Sequence, residues 1–254
     1  EGNSRRIATL LQKNLLRNHE EMPRALALMA PFMHPAGTDE DREILRAALR
    51  KTIHWHRNFD KTPRTKLDAW LLEVEACYAA LAPLDLVSRY RWLFDAHWVK
   101  LPSRERDDDI HARKNALAEE RAHALDELFK AQGMEGIERL IRECSEPGTV
   151  GSSLAGLEWE EVDWVNWIAT KGGDFIPGSH MTWSIGGLLR AAVSPKSAQL
   201  LRAVLAIADQ HGWNGEKRAR LLVLARPEQE TWQLATESGS ETDKAYWQFV
   251  RPEN

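Results

Sequence analysis

Apolar residues recur at intervals of three and four along most of this chain. The clearest run, within residues 67–81, consists of Leu67, Trp70, Leu71, Val74, Cys77, Tyr78 and Leu81. This spacing places side chains on one face of an α-helix, so the run predicts a helix with a buried face. No convincing run of alternating β-branched residues occurs, and we expect strands to be absent or marginal.

Similar spacing predicts further helices within 44–49, 117–129, 137–144 and 200–208. Proline or glycine separates the predicted segments, as at Pro63, Pro83, Pro102 and Gly133. These residues interrupt helices, so the chain is predicted to form about a dozen short helices joined by tight turns.

Residues 228–250 predict a hairpin of two short helices. Ser238 and Gly239 end the first helix, and Ser240 is the predicted N-cap of the second. Helices this short are unstable alone, and we expect Trp232, Tyr246 and Trp247 to pack against neighbouring helices. The predicted fold class is all-α, with stacked helix hairpins forming an irregular α-solenoid of the HEAT or TPR kind. No strict repeat period is present, so an irregular helical bundle is the alternative.

The glycine-containing segment KGGDFIPGSHM at 171–181 predicts a flexible link. We expect one helical-repeat region over residues 1–170 and a second over 182–254, unless the two form one continuous domain. The string GSHM at 178–181 matches a common vector-derived remnant, but ordinary sequence continues on both sides, which favours coincidence.

Charge and cysteine content exclude several classes of protein. The 34 basic and 38 acidic residues are interleaved, so no strong net field attracts nucleic acid or an anionic membrane. Only two cysteines occur, Cys77 and Cys144, which excludes a disulfide framework and favours a reducing compartment. No apolar run reaches the ~20 residues of a membrane span. We expect a cytoplasmic protein with no membrane partner and no cofactor.

Two segments carry a resemblance to known proteins: RARLLVLARPEQETWQLATESGSETDKAYWQFVRP at 218–252 and RYRWLFDAHWVKLP at 89–102. Both resemble helical-repeat regions of very large bacterial multidomain proteins, some of which resemble anti-phage defence proteins. The resemblance covers these segments and carries no catalytic motif. It implies a scaffold or sensor region, with an effector domain elsewhere in a longer protein.

His54, Trp55 and His56 form a first candidate site. On a helix, residues two apart point about 200° from each other, so the two imidazoles share a metal ion only if the backbone is extended. A metal site, a surface aromatic patch and ordinary packing at a helix end are the three interpretations, and packing is favoured.

Basic and aromatic residues collect within 89–106, a pattern found in no other part of the chain. The candidates for partner binding in this segment are Arg89, Arg91, Trp92, Trp98, Arg104 and Arg106. A binding surface is predicted here and around His54–His56, the alternative being a solvated helix face balanced by the acidic residues that follow.

Asp107, Asp109 and His111 offer hard oxygen ligands and one nitrogen, which suit a metal-dependent hydrolase. Capping of the helix predicted over 110–130 explains the same aspartates. Gly148, Gly151 and Gly156 lack the lysine of a phosphate-binding loop, so close helix packing explains them better. No catalytic residue is predicted.

The predicted function is a non-catalytic scaffold or sensor module that recognises another protein. The alternatives are a helical repeat that binds nucleic acid through 89–106, and the metal-dependent hydrolase.

Overall fold

The computed structural model describes residues 2–13, 22–33, 37–59, 64–102, 110–157, 162–172, 175–192 and 196–250. Within these ranges all regular secondary structure is helical, which confirms the predicted all-α class. Their stacking as a solenoid stays a prediction. None of the helices in these ranges combines the length and the apolar character needed to cross a lipid bilayer.

The chain divides into two compact units. The first consists of Glu1–Leu93 and Trp98–Glu119, and the second of Phe94–His97 and Glu120–Asn254. The segment 171–181, where the sequence predicts a link, lies within the second unit. The division into regions 1–170 and 182–254 stays a prediction.

Among the described residues, five α-helices and the start of a sixth belong to the first unit. They are α1 (Gly2–Lys13), α2 (Met22–Ala27), α3 (Asp39–Phe59), α4 (Arg64–Ala80), α5 (Leu86–Tyr90) and the first residues of α6 (Ile110–Glu143). Thr38 accepts a hydrogen bond from the Asp41 backbone N–H at 3.1 Å, so α3 begins with a side-chain cap. The α4 helix confirms the helix predicted over 67–81.

Helices α1 to α4 enclose the core of the first unit. Leu45, Leu49 and Ile53 of α3 are fully buried, and Leu71 and Val74 of α4 lie in the same core. Spacings of three and four bring these side chains to the faces along which α3 and α4 pack. The core therefore follows directly from the apolar periodicity.

A stripe of arginines lies beside that core on α3. Arg42, Arg46 and Arg50 recur at every fourth position and are all buried. The Arg46 guanidinium lies 4.3 Å from the centre of the Tyr78 ring, and the Arg50 guanidinium lies 4.1 Å from the centre of the Trp92 ring. These cation–π contacts hold α4 and the turn that contains Trp92 against α3.

In the part of the second unit that the structure describes, seven further α-helices follow the remainder of α6. These are α7 (Pro147–Leu154), α8 (Trp164–Lys171), α9 (His180–Ala191), α10 (Lys196–Ile207), α11 (Gly215–Leu224), α12 (Gln229–Glu237) and α13 (Ser240–Phe249). Gly133 interrupts α6 with φ 62° and ψ −157°, a conformation that glycine tolerates. The sequence predicts a break at this glycine, and the break is confirmed.

Helices α7 and α9 pack backbone against backbone. A Cβ on Gly151 would lie 1.8 Å from the Ser184 carbonyl oxygen, and a Cβ on Gly187 would lie 2.2 Å from the Gly148 carbonyl oxygen. Only glycine permits this approach. The packing role predicted for the small residues of 148–156 is therefore confirmed at Gly148 and Gly151, whereas a Cβ on Gly156 would make only an ordinary contact of 3.6 Å with the Ser153 carbonyl oxygen.

Residues 228–250 form the predicted helix hairpin, with two differences. The second helix begins at Ser240 itself, and Gly239, with φ 102°, occupies the N-cap position instead of Ser240. Tyr246 is buried as predicted, but Trp232 and Trp247 are 42% and 52% exposed and lie with ring centres 6.1 Å apart. The two tryptophans therefore cover one another at the surface instead of filling the interior of the second unit.

Candidate functional site

His54, Trp55 and His56 lie on the last turns of α3, so their backbone is helical and not extended. His56 is buried, and its ring centre lies 4.3 Å from that of Trp70. His54 is half-buried and lines a pocket. Among the residues that the structure describes, no group of three metal-ligating side chains occurs. His56 has the predicted packing role, whereas His54 lies at the edge of a pocket.

Among the described residues of the segment 89–106, Arg89 and Trp92 have contacts within the protein, whereas Arg91 and Trp98 are exposed. The Arg89 side chain donates to the Pro83 carbonyl oxygen at 3.0 Å, and Trp92 lies under Arg50. Arg91 is exposed, and Trp98 is 49% exposed. Arg104 and Arg106 lie outside the described residues, as do Asp107 and Asp109 of the candidate metal site, while His111 is exposed.

Trp98 and His54 meet at a cavity of about 310 Å³ in the first unit, which we call the Trp98 pocket. Its polar and apolar lining includes His54, Asn58, Trp98, Lys100, Arg113 and Leu117. The end of α3, the segment after the Trp92 turn and the first turns of α6 supply these side chains. The structure therefore places His54 of the first candidate group beside the same cavity as Trp98 of the second.

The Trp98 pocket is electropositive. Burial lowers the pKa of His54, and the positive charges of Lys100 and Arg113 lower this pKa further, against a hydrogen bond to the Leu101 backbone. Asn58 Nδ2 donates to the His54 carbonyl oxygen at 2.7 Å and lies 3.3 Å from its Nδ1. The imidazole is thus fixed in place and favoured in its neutral form.

A longer concave surface lies in the second unit along α9. Trp183, Gly187 and Arg190 follow helical spacing on one face of α9, and Trp183 and Arg190 line two cavities of about 450 Å³ and about 750 Å³. We call these two adjoining cavities the α9 groove. Trp183 is 53% exposed. A large exposed indole between two cavities is a typical anchor for a bound partner.

The smaller cavity of the α9 groove is mainly apolar. Phe175, Leu224 and Phe249 provide its apolar walls. Among the described residues that line it, the charged side chains are Arg190 and Arg220. Arg220 also donates to Glu216 at 2.7 Å, and Arg190 donates to the Gly186 carbonyl oxygen at 3.2 Å. An apolar cavity edged by two guanidinium groups fits an apolar group with a carboxylate beside it.

Phe175, in the apolar wall of the smaller cavity, has a strained backbone conformation. Its φ is 47°, which is uncommon for an aromatic residue, and its side chain is buried with the ring centre 5.3 Å from that of Trp213. A Cβ on Gly172 would lie 2.3 Å from the Phe175 ring, so the glycine makes room for it. Strained residues of this kind persist where the surroundings fix them, often at binding sites.

The larger cavity of the α9 groove is more polar. Ser145, Glu146, Thr149 and Ser152 line one side of it, and His180 lies on the other. The His180 Nδ1 is 3.0 Å from the Ile141 carbonyl oxygen, which fixes the ring. Hydroxyl groups and one carboxylate suit hydrogen bonds to a peptide backbone or to polar side chains.

The sequence alone does not identify Trp183, Arg190 and Arg220. Trp183 and Arg190 lie in a segment with two glycines, Gly186 and Gly187. Glycine is unfavourable within a helix, so a solvent-exposed helix gains nothing from these two residues. The signal that the sequence offers for this site is a tryptophan and an arginine on one face of a helix that contains glycine. Arg220 lies on another helix, α11, and only the tertiary structure brings it to the groove.

Comparison of the chain with protein-family models, with curated proteins and with solved structures gives no match.

Proposed function

We propose that this chain is a non-catalytic recognition module and that its second unit binds a segment of another protein in the α9 groove. The observation that carries this proposal is the exposed Trp183 between two cavities, one of them apolar and edged by Arg190 and Arg220. The partner segment presents a large apolar side chain with an aspartate or glutamate close to it.

Three properties of the groove support a peptide as its occupant. The combination of an apolar cavity and an adjoining polar one matches a chain with alternating apolar and polar contacts. Tryptophan and arginine are the side chains most enriched at the energetic centres of protein interfaces. Glycine contacts fix α7 against α9, so the walls of the groove are preformed and little ordering accompanies binding.

Selection from a displayed library of random peptides tests this proposal. We expect the enriched peptides to share a leucine, phenylalanine or tryptophan within one helical turn of an acidic residue. Trp183→Ala should weaken the binding of such a peptide by about 30-fold or more, because removing an interface anchor typically costs at least about 2 kcal/mol. The Arg190→Gln and Arg220→Gln double variant should weaken it through loss of the charge pairing.

Trp232→Ala is the matched control, since Trp232 is an exposed tryptophan of the same unit and does not line the groove. Fluorescence anisotropy of a labelled selected peptide gives each Kd. Equal affinity for the wild-type chain and Trp183→Ala would reject the groove as the site. Failure to enrich any peptide would count against the recognition function.

The proposed setting is the cytoplasm of a bacterium, within a longer helical-repeat protein related to anti-phage defence. The resemblance of 218–252 and 89–102 to such repeat regions supports it. The two cysteines are also in keeping with a reducing compartment: burial raises the pKa of Cys77 to about 11 and that of Cys144 to about 12, so both remain thiols. The helix hairpin of α12 and α13 supports the solenoid arrangement.

A further inference from the structure

We propose that the Trp98 pocket of the first unit binds a nucleotide unit, with its base against the Trp98 indole and its phosphate at Lys100 and Arg113. This site is separate from the α9 groove, since every residue that lines it belongs to the first unit. A free mononucleotide and one base with its phosphate in a single strand share this chemistry.

The charges that line the pocket select an anion. Lys100 and Arg113 are the charged side chains among the described lining residues, and no described carboxylate lines the cavity. Arg113 lies in the first turns of α6, whereas Lys100 follows Trp98 in a segment without regular secondary structure. Two cations from different elements facing one cavity match a phosphate better than a single carboxylate, because a phosphate carries more charge and more acceptor oxygens.

The aromatic and apolar side of the pocket selects a flat ring. The Trp98 side chain is half exposed, and Leu117 is buried beside the cavity. Stacking of a base on an aromatic side chain is a general and sequence-tolerant means of binding nucleotides. The volume of about 310 Å³ lies at the lower end of the range for ligand sites, which suits a single nucleotide and not a larger ligand.

His54 and Asn58 supply hydrogen-bonding groups to the same cavity. Both side chains lie on the last turns of α3, where the contacts of Asn58 with His54 hold the imidazole in place. Because Asn58 Nδ2 and the Leu101 backbone already contact the ring, His54 is a fixed polar wall of the cavity, and the Asn58 amide oxygen is an acceptor suited to a base edge or a ribose hydroxyl. A site that combines a flat apolar surface, cations and neutral polar groups is thus complete for a nucleotide.

Isothermal titration of the full chain with AMP, adenosine, inorganic phosphate and a short oligothymidylate tests the inference. We expect AMP or the oligothymidylate to bind, with adenosine and phosphate alone at least ~5-fold weaker, since base and phosphate contribute separately. Trp98→Leu should weaken binding by ~5-fold or more through loss of stacking. Lys100→Gln and Arg113→Gln should each weaken it and flatten its dependence on salt.

Two variants serve as controls. Lys114→Gln removes an exposed cation next to Arg113 that does not line the pocket, and Trp232→Leu removes an exposed tryptophan of the other unit that lines neither proposed site. Both should bind as the wild type does, and circular dichroism checks that every variant is folded. Tighter binding of AMP would identify a free nucleotide as the ligand, and tighter binding of the oligothymidylate would identify a single strand.

Three results of these titrations would overturn the inference. The first is that neither AMP nor the oligothymidylate binds. The second is that inorganic phosphate binds as tightly as AMP. The third is that Trp98→Leu leaves the nucleotide affinities unchanged. Binding of an acidic peptide that Lys100→Gln removes and Trp98→Leu preserves would likewise reject a nucleotide in favour of a protein partner. None of these outcomes bears on the α9 groove, whose test relies on Trp183.

Discussion

At the scale of single residues, chemically similar side chains in one segment have different roles. Trp92 lies beneath the guanidinium of Arg50, whereas Trp98 is half exposed beside His54. Both belong to the basic and aromatic segment that the sequence predicts as a surface. Arg50 lies far from Trp92 in the sequence, so no local pattern contains the pair that turns Trp92 inward.

His54 should titrate below the ordinary histidine pKa of about 6.5. Burial and the charges of Lys100 and Arg113 favour its neutral form, and the hydrogen bond to the Leu101 backbone only partly opposes them. Because the folded-state pKa is lowered, the stabilising effect of neutral His54 is complete above about pH 6.5 and decreases as the pH falls below that value. NMR titration of the histidine ring protons measures this pKa, and the spectrum of His54→Gln assigns the signal.

Urea unfolding at several pH values provides the second readout. The loss of stability below about pH 6.5 should be smaller in His54→Gln than in the wild type, since the variant has no ring to protonate. A pKa of His54 above the ordinary value would contradict the charge distribution that we describe for the Trp98 pocket.

At the scale of elements, the contact between α7 and α9 depends on the absence of side chains. The backbones approach at Gly148, Gly151, Ser184 and Gly187, and this approach fixes the face of α9 that carries Trp183 and Arg190. The glycines therefore act on the groove through the position of a helix, although Gly151 does not line it.

Gly151→Ala should destabilise the second unit by about 2 kcal/mol or more, because overpacking at a rigid contact forces the backbone to move. The new Cβ would lie 1.8 Å from the Ser184 carbonyl oxygen. Gly148→Ala on the same helix is the control, since its Cβ would lie 3.6 Å from the Trp183 carbonyl oxygen, an ordinary contact. Urea denaturation followed by circular dichroism measures both variants, and an unchanged unfolding midpoint for Gly151→Ala would show that α7 and α9 are farther apart than described.

At the scale of the whole molecule, each of the two compact units buries apolar residues of its own. Leu49 on α3 is fully buried in the first unit, and Leu189 on α9 is fully buried in the second. A unit with its own core can lose structure locally while the remainder stays folded. The two proposed sites belong to different units and so depend on different cores.

We expect Leu49→Ala and Leu189→Ala to have effects confined to their own units. Each change leaves a cavity and costs about 2–5 kcal/mol. Amide hydrogen exchange measured by mass spectrometry should accelerate in α3 and α4 for Leu49→Ala, and in α7, α9 and α11 for Leu189→Ala. Equal acceleration along the entire chain in both variants would show that the two units unfold as one.

The amino-acid sequence by itself determined the all-α class, the helix over 67–81, the break at Gly133 and the hairpin of 228–250. Each of these depends on spacing, on caps or on helix-breaking residues within one segment, and such local preferences can be read without knowledge of distant contacts. The packing role of the small residues in 148–156 was also predictable, since the sequence lacks the lysine that a phosphate-binding loop requires.

Only the tertiary structure decided which side chains share a cavity. The Trp98 pocket combines residues of α3, α6 and the irregular segment between α5 and α6, and the α9 groove combines α9 with α11 and α13. Periodicity fixes the face of a helix that is buried, but it does not specify which face of another helix lies opposite. That choice depends on how complete surfaces fit together, and it set His54 beside Trp98, and Arg220 beside Arg190.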